Sequence, residues 1–325
     1  MRKMSAGSEL PAGGGVILVD KAQGSTSHDV VLALRRLLRI AGIGHTGTLD
    51  PMATGLLVLC TGTATKLSPY LSGQEKEYLG TATFGAVTDS LDATGKVIDR
   101  KPVEGCVDAR KLRRAMASLT GELQQVPPMA SAVKMNGVRL HRLARRGVEV
   151  QRRARPVNVR VFELIRCGGD TAEFRVVCSS GTYVRCLAAE LGDALGCGAH
   201  LSRLRRTRVG RFSVDGVLTV HEALRIGAEA VLANHLIPAA QALDFLPFVV
   251  LDHAGIGAVR HGRPAPAASV LDWDPDLVRR PGAIRVIDEN GILRAIGAAD
   301  LAEGGKPGEI RPLRVLGSPS SGPRE

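Results

Sequence analysis

The segment from Gly44 to Gly55, GHTGTLDPMATG, constrains the fold of this chain more than any other stretch. Its glycines permit backbone conformations that bulkier residues avoid, so the segment can turn tightly. Pro51 keeps the preceding residue, Asp50, out of the helical region and stiffens the turn. The apolar run Leu56–Cys60 that follows is typical of a buried strand. The pattern predicts a tight loop that holds one aspartate in front of a buried strand.

The role of Asp50 stays open on local grounds. The loop is not a phosphate-binding loop, because it lacks the Gly-Lys-Ser/Thr ending of that motif. Gly13–Gly15 is not a dinucleotide-binding fingerprint, since it precedes the strand predicted at Val16–Val19 instead of following it. An aspartate held in this way can close an Asx turn and do nothing more. It can equally be a catalytic carboxylate, and the loop alone does not decide between the two.

The charge of the chain favours a polyanionic partner. The formal net charge is +11 and the sequence pI is about 9.8, which is the usual electrostatic footprint of a nucleic-acid-binding protein. Cations cluster in an insertion without strong periodicity, residues 124–156, and in a second stripe at residues 203–211. The first set is Lys134, Arg139, Arg142, Arg145, Arg146, Arg152, Arg153 and Arg155; the second is Arg203, Arg205, Arg206, Arg208 and Arg211. A charge run is usually a solvated face, but Glu149 is the only acid in either run, which favours contact with phosphate.

Several other kinds of site are disfavoured. The six cysteines contain no C-x-x-C pair, so neither a disulfide framework nor a zinc site is predicted. No apolar run reaches the ~18 residues that suggest a membrane span. The N-terminus has charge but lacks the apolar centre of a secretory signal. We therefore expect a cytoplasmic protein without a membrane segment or a bound metal.

Hydrophobic periodicity predicts alternating strands and helices. Ser27 is a candidate N-cap for a helix whose apolar stripe includes Val30 and Leu34. Further predicted strands are Tyr78–Phe84, Val157–Arg166 and Ala172–Cys178, and further predicted helices are Ala109–Leu119, Tyr183–Leu195, Val220–Ile226 and Ala228–His235. From about Phe245, short strand-like runs alternate with Gly- and Pro-rich turns, which predicts a small all-β module.

The loop around Asp50 resembles the catalytic motif of the TruB family of tRNA pseudouridine synthases, G-H-x-G-x-L-D-P-x-A-T-G-x-L, whose aspartate is essential. Three further segments resemble family motifs in the same order. They are VDKAQG at 19–24, with Ala22 in place of a proline; KEYLGTATFGAVTDSLDATG at 76–95, with Ser90 in place of a threonine; and SSGTYVRCLAAELGDALGCGAHLSRLRRTRVG at 179–210. The resemblance runs from about residue 14 to 214 and continues more weakly from about 248 to 315, which is similar to a PUA module. Ordered motifs of this kind are far more specific than any single one.

The resemblance implies a fold and a domain order. The fold is mixed α/β (α+β), with a pseudouridine-synthase catalytic domain around a long, largely antiparallel sheet and a cleft across it. A small C-terminal β-barrel, similar to a PUA module, follows. The expected organisation is a disordered leader at 1–13, the catalytic domain at 14–244 with a thumb-like insertion at 124–156, the RNA-binding module at 245–316, and a flexible tail at 317–325.

The resemblance also implies a reaction. A stand-alone bacterial member converts uridine 55 in the T loop of tRNA to pseudouridine. The N-glycosidic bond breaks, the uracil rotates, and a bond to carbon forms. A carboxylate can attack the sugar or the base, and the absence of a redox step or group donor means that no cofactor is expected. The base must leave the folded RNA first, so we expect a monomer that binds the T arm of tRNA and flips the uridine.

Individual residues take roles by this resemblance. Asp50 is the catalytic carboxylate, and Arg185 pairs with it, which would keep it ionised. Tyr78 stacks on the flipped uridine, and Tyr183 packs under the reacting base. Substrate-binding roles fall to Lys21, His45, Leu204, Arg142, Arg145, Arg146 and Arg152, with Lys21 also supporting the structure near the catalytic loop. Without the motifs, both tyrosines would be interpreted as ordinary buried aromatics and Arg185 as half of a surface ion pair.

The insertion departs from the family pattern, since Ala130 and His141 stand where tyrosine is usual. Stacking by the insertion is therefore expected to be weaker or shared differently. Two other functions stay open: a pseudouridine synthase that depends on a guide RNA inside a ribonucleoprotein, and an RNA-binding chaperone that folds tRNA. The insertion and the small C-terminal module argue against the first, and nothing in the sequence removes the second.

Overall fold

The computed structural model describes residues 14–129, 131, 133–135, 137–144, 146–148, 150–280, 282–301 and 305–317. The predicted leader, 1–13, lies outside these ranges, as do residues 318–325 of the predicted tail. No helix within these ranges is long and apolar enough to cross a membrane.

The first region of the described chain, from Gly15 to Ala242, contains both strands and helices. In chain order they are β1 (Gly15–Lys21), α1 (Ser27–Leu38), β2 (Ile43–His45), β3 (Thr54–Thr61), a 3-10 helix (Gly62–Leu67), α2 (Ser68–Ser72), β4 (Lys76–Phe84), β5 (Ala86–Thr88), β6 (Val97–Arg100), α3 (Ala109–Ser118), β7 (Gly121–Gln125), β8 (Lys134–Met135), β9 (Val138–Arg139), α4 (Leu140–Ala144), β10 (Arg155–Gly168), β11 (Thr171–Cys178), α5 (Val184–Ala194), β12 (Ala199–Val209), β13 (Phe212–Ser213), β14 (Leu218–Thr219), α6 (Val220–His235), β15 (Leu236–Pro238) and α7 (Ala239–Ala242).

One eleven-stranded sheet organises this part of the chain. Its path is β14-β1-β3-β12-β4-β11-β10-β7, and β13, β15 and β2 pair beside it with β12, β1 and β3. Neighbouring strands are antiparallel except for β1 with β14 and β12 with β3, which are parallel. The prediction of a mixed fold around a long, largely antiparallel sheet is confirmed.

Strand β3 lies in the middle of the core, as its apolar run predicts. Successive side chains of a strand point to opposite faces of the sheet. Leu56 and Val58 accordingly join one apolar cluster, while Leu57 and Leu59 join another, which includes Leu34 of α1. A strand buried on both faces reads as a continuous hydrophobic run, and this burial anchors the loop that precedes β3.

The helix predicted after Ser27 is present as α1, but its N-cap is Thr26. The Thr26 hydroxyl accepts a hydrogen bond from the Asp29 amide at 3.1 Å, and the Asp29 carboxylate accepts one from the Thr26 amide at 2.8 Å. This capping box needs an acid three residues after the cap, a condition that Thr26 meets and Ser27 does not. Ser27 is buried instead, and its hydroxyl hydrogen-bonds to the backbone of Leu49.

Strand β12 is the largest element that the sequence did not predict. It pairs with both β3 and β4 and therefore occupies the centre of the sheet. Its sequence, AHLSRLRRTRV, carries four arginines and few apolar residues. Such a composition is typical of a charged surface segment, so the strand was not predicted. The predicted pair of helices at 220–235 is confirmed, because α6 is interrupted at Gly227, whose φ is 85°.

The C-terminal region contains the predicted strands, which form one sheet. It also contains a helix that the sequence did not predict. Its elements are β16 (Phe248–Leu251), α8 (His253–Arg260), a 3-10 helix (Ala267–Ser269), β17 (Val270–Trp273), a 3-10 helix (Pro275–Val278), β18 (Ile284–Asp288), β19 (Leu293–Leu301) and β20 (Pro307–Val315). The strand order is β17-β16-β18-β19-β20. Among the described residues β17 and β20 do not pair with each other, so this sheet is open and the expected closed barrel is not observed.

The expectation of an all-β module is wrong because of α8. The helix begins after Asp252, whose carboxylate accepts a hydrogen bond from the Gly255 amide at 2.7 Å. Ile256 and Val259 are buried in the core of the small sheet. Two glycines in HAGIGAVR weaken the helical pattern, and eight residues are too few to outweigh them, so the packing against the sheet decides.

The two regions share one apolar cluster. Ile287 and Leu293 of the small sheet belong to the same cluster as Leu56 and Leu67 of the first region. The Arg285 guanidinium adds hydrogen bonds to the Leu246 and Ala240 carbonyls, at 2.8 and 2.9 Å. The boundary predicted near residue 245 therefore runs through packed side chains, and its location stays a prediction.

Candidate active site

The loop that carries Asp50 is held by the start of helix α1. The buried Ser27 hydroxyl accepts a hydrogen bond from the Leu49 amide at 2.8 Å and lies 3.2 Å from the Leu49 carbonyl, to which it donates. On the other side of Asp50, the Pro51 carbonyl accepts from the Gly24 amide at 2.8 Å. Both residues next to Asp50 are thus tied to the 24–27 turn, which fixes the backbone that presents the carboxylate.

Lys21 lies behind this loop and does not line the cleft. Its side chain is fully buried, and Nζ donates to the carbonyls of Ala22, Ser25 and Pro51 at 3.0, 2.8 and 3.5 Å. Burial lowers the pKa of Lys21 to about 8, while the negative charge of Asp50 acts in the opposite direction. This placement supports the turn beneath the loop and keeps the ammonium away from the open side of Asp50.

Arg185, in the first turn of α5, joins Asp50 to a second carboxylate. Its Nε lies 3.0 Å from Asp50 Oδ2, and its Nη1 lies 3.3 Å from Asp92 Oδ2. The Arg185 and Asp92 side chains are each 4% exposed, whereas the Asp50 side chain is 32% exposed. The ion pair is therefore not a surface pair, and Asp50 is the member that faces open space.

Asp92 is a site residue that sequence reasoning missed. Its Oδ1 accepts hydrogen bonds from the Ser90 hydroxyl at 2.8 Å and from the Thr94 amide and hydroxyl at 2.9 and 2.6 Å. The carboxylate is thus fixed before it meets Arg185. Asp92 lies in the 76–95 segment that carries the family resemblance, but an aspartate in a turn rich in Ser and Thr resembles any Asx turn. Its burial is what distinguishes it.

The electrostatics of Asp50 reflect competing effects. Burial raises its pKa above the usual 3.8, Arg185 lowers it, and Asp92 raises it again. The net direction is upward, so the ionised carboxylate is less stabilised than it would be in water. A perturbed carboxyl group in a cleft, held by a specific charge partner, is typical of a functional site.

Tyr78 and Leu204 form an apolar wall beside Asp50. Tyr78 on β4 is 7% exposed and Leu204 on β12 is 8% exposed. Both belong to the apolar cluster that contains Leu49 and Met52, close to Asp50 along the chain. Burial raises the pKa of Tyr78, so its hydroxyl stays protonated at neutral pH.

Tyr183 connects the insertion to helix α5. It precedes the helix, and its amide donates to Gln125 Oε1 at 2.7 Å while its carbonyl accepts from Gln125 Nε2 at 3.2 Å. Burial raises the pKa of its hydroxyl, and the neighbouring Ser131 acts in the opposite direction. Gln125, 2% exposed, therefore holds the residue two positions before Arg185, a role that no pattern in the sequence indicates.

These side chains surround one cleft of about 1490 Å³. Six of the predicted site residues line it: Asp50, Tyr78, Tyr183, Arg185, His45 and Leu204. The insertion contributes part of the rim through Met129, Ser131, Gly147 and Val148. Within the described part of the chain, no group of three or more His, Cys, Asp or Glu side chains is arranged to hold a metal ion.

The cations predicted in the insertion are not equivalent. Arg142 and Arg146 are exposed. Arg152 is half-buried and donates from Nη1 to the Pro127 carbonyl at 3.1 Å, so it braces the base of the insertion. Arg145, Ala130 and the side chain of His141 lie outside the described residues.

The arginines of the second basic stripe do not share one surface, and contact of this stripe with phosphate stays a prediction. Arg206 is 1% exposed and lines the cleft. Arg205 points to the opposite face and pairs with Asp20 at 2.7 Å. The exposed members are Arg203, Arg208 and Arg211. The alternation of a strand separates residues that the sequence groups by charge.

Comparison with known proteins gives family matches along most of the chain. Residues 35–184 match the TruB family pseudouridylate synthase N-terminal domain, and residues 185–244 match the tRNA pseudouridylate synthase B C-terminal domain. A tRNA pseudouridine synthase B of Stutzerimonas stutzeri is 40% identical over 308 residues, which cover 94% of this chain and 96% of that protein. Another, of Aromatoleum aromaticum, is 47% identical over 249 residues and covers 77% of this chain and 80% of that protein.

Solved structures resemble the chain across its length. A chain in a Cbf5-Nop10-Gar1 complex aligns with a TM-score of 0.71 at 28% identity, covering 94% of this chain and 86% of that chain. A chain in an H/ACA ribonucleoprotein bound to a substrate RNA containing 2'-deoxyuridine aligns with a TM-score of 0.70 at 25% identity, with the same coverage.

Proposed function

This chain belongs to the TruB family of pseudouridylate synthases, and on that premise we propose that it converts uridine 55 in the T loop of tRNA to pseudouridine. It is an isomerase of the pseudouridine synthase type. Relatives named tRNA pseudouridine synthase B, at 40 and 47% identity, support tRNA as the substrate. The finer elements of the proposal are the position in the tRNA and the residue that performs the chemistry.

The observation that carries the mechanism is the arrangement of Asp50, Arg185 and Asp92 in the cleft. Asp50 is the reacting carboxylate: it attacks the sugar or the base, and the N-glycosidic bond breaks. The uracil rejoins the ribose through carbon, and the bond to Asp50 breaks. The reacting carbon then loses its hydrogen as a proton, and the freed ring nitrogen gains a proton. The Arg185 cation, 3.0 Å from Asp50, orients the carboxylate and favours its ionised form. Asp92 holds the far end of Arg185 in place.

The walls of the cleft suit a base that has left its stack. Tyr78 provides an aromatic face beside Asp50, and such stacking is worth roughly 1–3 kcal/mol per base. Tyr183 and Leu204 enclose the uracil, and His45 contacts RNA at the rim. Lys21 supports the loop from behind, since its ammonium is used by carbonyl oxygens. The reaction needs no group donor or redox partner, so no cofactor takes part.

Binding of the T arm depends on the insertion. The exposed Arg142 and Arg146 contact tRNA phosphates, Arg145 adds to this charge, and Arg152 holds the base of the insertion through the Pro127 carbonyl. Phosphate contacts of this kind give affinity that falls with salt concentration. The enzyme works as a monomer in the cytoplasm, with the C-terminal sheet as a further RNA-binding surface.

A guide-RNA-dependent reaction is the second candidate, favoured by the likeness to Cbf5 at a TM-score of 0.71. The identities of 40 and 47% to relatives named tRNA pseudouridine synthase B exceed the 28% to the chain in the Cbf5-Nop10-Gar1 complex. Purified protein and an unmodified tRNA transcript, with no other RNA present, separate the two. A guide-dependent enzyme forms no pseudouridine under these conditions.

The test of the proposal maps pseudouridine in that transcript by chemical adduct and primer extension. We expect one modified position, 55, and none in a transcript with cytidine there. Asp50→Asn keeps the shape but removes the anionic oxygen, so turnover should vanish while tRNA affinity stays within about tenfold, roughly 1.4 kcal/mol. Substantial pseudouridine formation by the Asn variant would refute the role of Asp50.

A further inference from the structure

Arg206 lies on β12, the strand between the one that carries Tyr78 and the one that follows the catalytic loop. Strand β12 runs between β3 and β4, and Arg206 is the register partner of Tyr78 on β4 and of Gly55 on β3. Directly opposite residues on one face of an antiparallel pair have Cβ atoms ~4.5–5.5 Å apart. The Arg206 side chain is therefore next to the Tyr78 ring, and it is 1% exposed.

The guanidinium of Arg206 binds the catalytic loop on both sides of Asp50. Its Nη2 donates to the Gly47 carbonyl at 3.0 Å, three residues before Asp50, and its Nε donates to the Leu56 carbonyl at 2.7 Å, six residues after it. Burial raises the pKa of the Tyr78 hydroxyl, and the nearby Arg206 guanidinium acts in the opposite direction. One side chain thus connects the reacting loop to the ring that stacks on the base.

The burial of this cation is costly, which argues against simple filling of the core. Among the described residues, its hydrogen-bond partners are two carbonyl oxygens, and neither of them carries a charge. A second buried cation is close, because the position of a Cβ at Gly47 would be 3.5 Å from Arg206 Nη1 and 3.6 Å from Lys76 Cε. Well-packed apolar residues usually fill such a space at a lower cost than a buried charge. The guanidinium supplies what they cannot, namely several directed donors in a rigid plane.

Gly55 shows how closely the two strands approach. Its φ is 102°, and a Cβ there would lie 2.2 Å from the Arg206 carbonyl oxygen. Any other side chain would push β12 away from the end of the loop. The close contact fixes the backbone of Arg206 relative to the loop, and the side chain then spans from that point to Gly47 and Tyr78.

We propose that Arg206 is a positioning residue for pseudouridine formation, which holds the Asp50 loop and the Tyr78 ring at a fixed separation through hydrogen bonds to the Gly47 and Leu56 carbonyls and through its place opposite Tyr78 on the neighbouring strand. It acts on the reaction through Asp50 and Tyr78 and does not touch the substrate. This inference rests on the proposed function, because it concerns the geometry of that reaction.

The test compares Arg206→Lys with Arg166→Lys. Lysine keeps the charge but is a point donor that cannot span these partners. Arg166 is a matched control, an exposed strand arginine paired with Glu173 far from the cleft. Single-turnover rates at saturating tRNA should fall about 100-fold in Arg206→Lys, since small misplacements of reacting groups have effects of this size. The affinity for tRNA should stay within about threefold, and Arg166→Lys should match the wild type in both.

A double-variant cycle tests the link to Tyr78. Tyr78→Phe alone removes the hydroxyl of the residue opposite Arg206 and should slow the reaction by less than about tenfold. In the Arg206→Lys background, the same change should slow the reaction by less than about twofold, because the guanidinium beside Tyr78 is already lost. If Arg206→Lys does not fold, the pH profile of Tyr78→Phe replaces the cycle. A lost anchor lowers the rate equally across the neutral range, whereas a lost proton donor changes the shape of the profile.

Several results would overturn the inference. A wild-type rate per folded molecule in Arg206→Lys, with only a lower Tm, would make Arg206 a structural cross-link. A loss of tRNA affinity with an unchanged saturated rate would make it an RNA contact. Additive effects in the cycle, or a Tyr78→Phe profile of altered shape, would remove the link to Tyr78. Failure of the wild-type protein to modify tRNA is a separate outcome, which would refute the proposed function itself.

Discussion

The insertion and the floor of the cleft, by which we mean the buried Arg185 and Arg206 with the groups that they hold, both use arginine. They place it in opposite environments. Arg142 and Arg146 of the insertion are exposed, whereas Arg185 and Arg206 of the floor are 4% and 1% exposed. Exposed guanidinium groups are free to rearrange and are screened by salt. Buried ones are fixed by several hydrogen bonds and are expensive to disturb. The difference suggests that the insertion provides affinity for RNA and the floor provides geometry.

Position in the sheet explains the difference. The floor arginines come from α5 and from β12, which lies between β3 and β4 at the centre of the sheet. The insertion extends from β7, the strand at the end of the sheet path. Between β7 and β10, its described elements are two paired strands of two residues each and one helix of five residues. Short elements at an edge cannot cover their own side chains, so their charges remain in solvent.

The largest difference between the two regions should appear when the ion-pair arginine is removed. Arg185→Met leaves Asp50 and Asp92 without their shared cation. Breaking a buried pair costs about 3–5 kcal/mol. Because Asp50 is 32% exposed and so remains partly solvated, we expect the free energy of unfolding to fall by about 3 kcal/mol, the lower end of this range. Denaturant titration with an unchanged m-value measures this loss. In contrast, Arg142→Met should change it by less than about 0.5 kcal/mol, and equal losses would contradict the division between floor and rim.

A smaller effect should appear in RNA affinity when the insertion is neutralised. In the Arg142→Gln, Arg146→Gln double variant, each lost phosphate contact should reduce the slope of log affinity against log salt by roughly 0.7 to 0.9. Binding titrations at several salt concentrations measure the slope, and single-turnover rates at saturating tRNA should stay at the wild-type value. Arg166→Gln serves as the control for an exposed strand cation. An unchanged slope in the double variant would mean that the insertion arginines only face solvent.

The smallest effect concerns the pH dependence of the reaction. Because only the ionised carboxylate reacts, the rate is full above the pKa of folded Asp50 and is lost as the pH falls through it. Burial and Asp92 place that pKa above the usual 3.8, against the effect of Arg185. Asp92→Asn removes one negative charge, so the acid limb of the single-turnover profile should move to lower pH. Arg146→Gln in the insertion should leave the limb in place, and an upward movement in Asp92→Asn would show that Asp92 acts chiefly by orienting Arg185.

Local patterns predicted the parts of the fold that depend on neighbours in the chain. The apolar run at 56–60 predicted a strand buried on both faces, and the structure confirms it. The helix after residue 26 was also predicted, although its cap was wrong, since Thr26 and not Ser27 has an acid three residues on. Helix α8 was missed because two glycines weaken its pattern, and contacts with the small sheet compensate for them.

The candidate site divides in the same way. The loop around Asp50 and the aromatic positions 78 and 183 were identified from motifs, and the structure brings all three residues to one cleft. Asp92 and Gln125 were missed, because each looks like an ordinary polar residue of a turn or strand end. Their roles depend on partners 93 and 58 positions away along the chain, and no spacing rule within a segment detects such a pairing.

The sequence by itself determined a tight loop with one aspartate before a buried strand, a mixed α/β order of elements, and a strongly basic chain. Only the tertiary structure decided which cations carry that charge to solvent and which support the site. Arg205 and Arg206 are adjacent in the sequence, yet one pairs with Asp20 on one face of the sheet and the other lies buried beside Tyr78. The residue type determines the free-energy cost of burying a side chain. The strands and loops that pack on each face of β12 determine which side chains are buried.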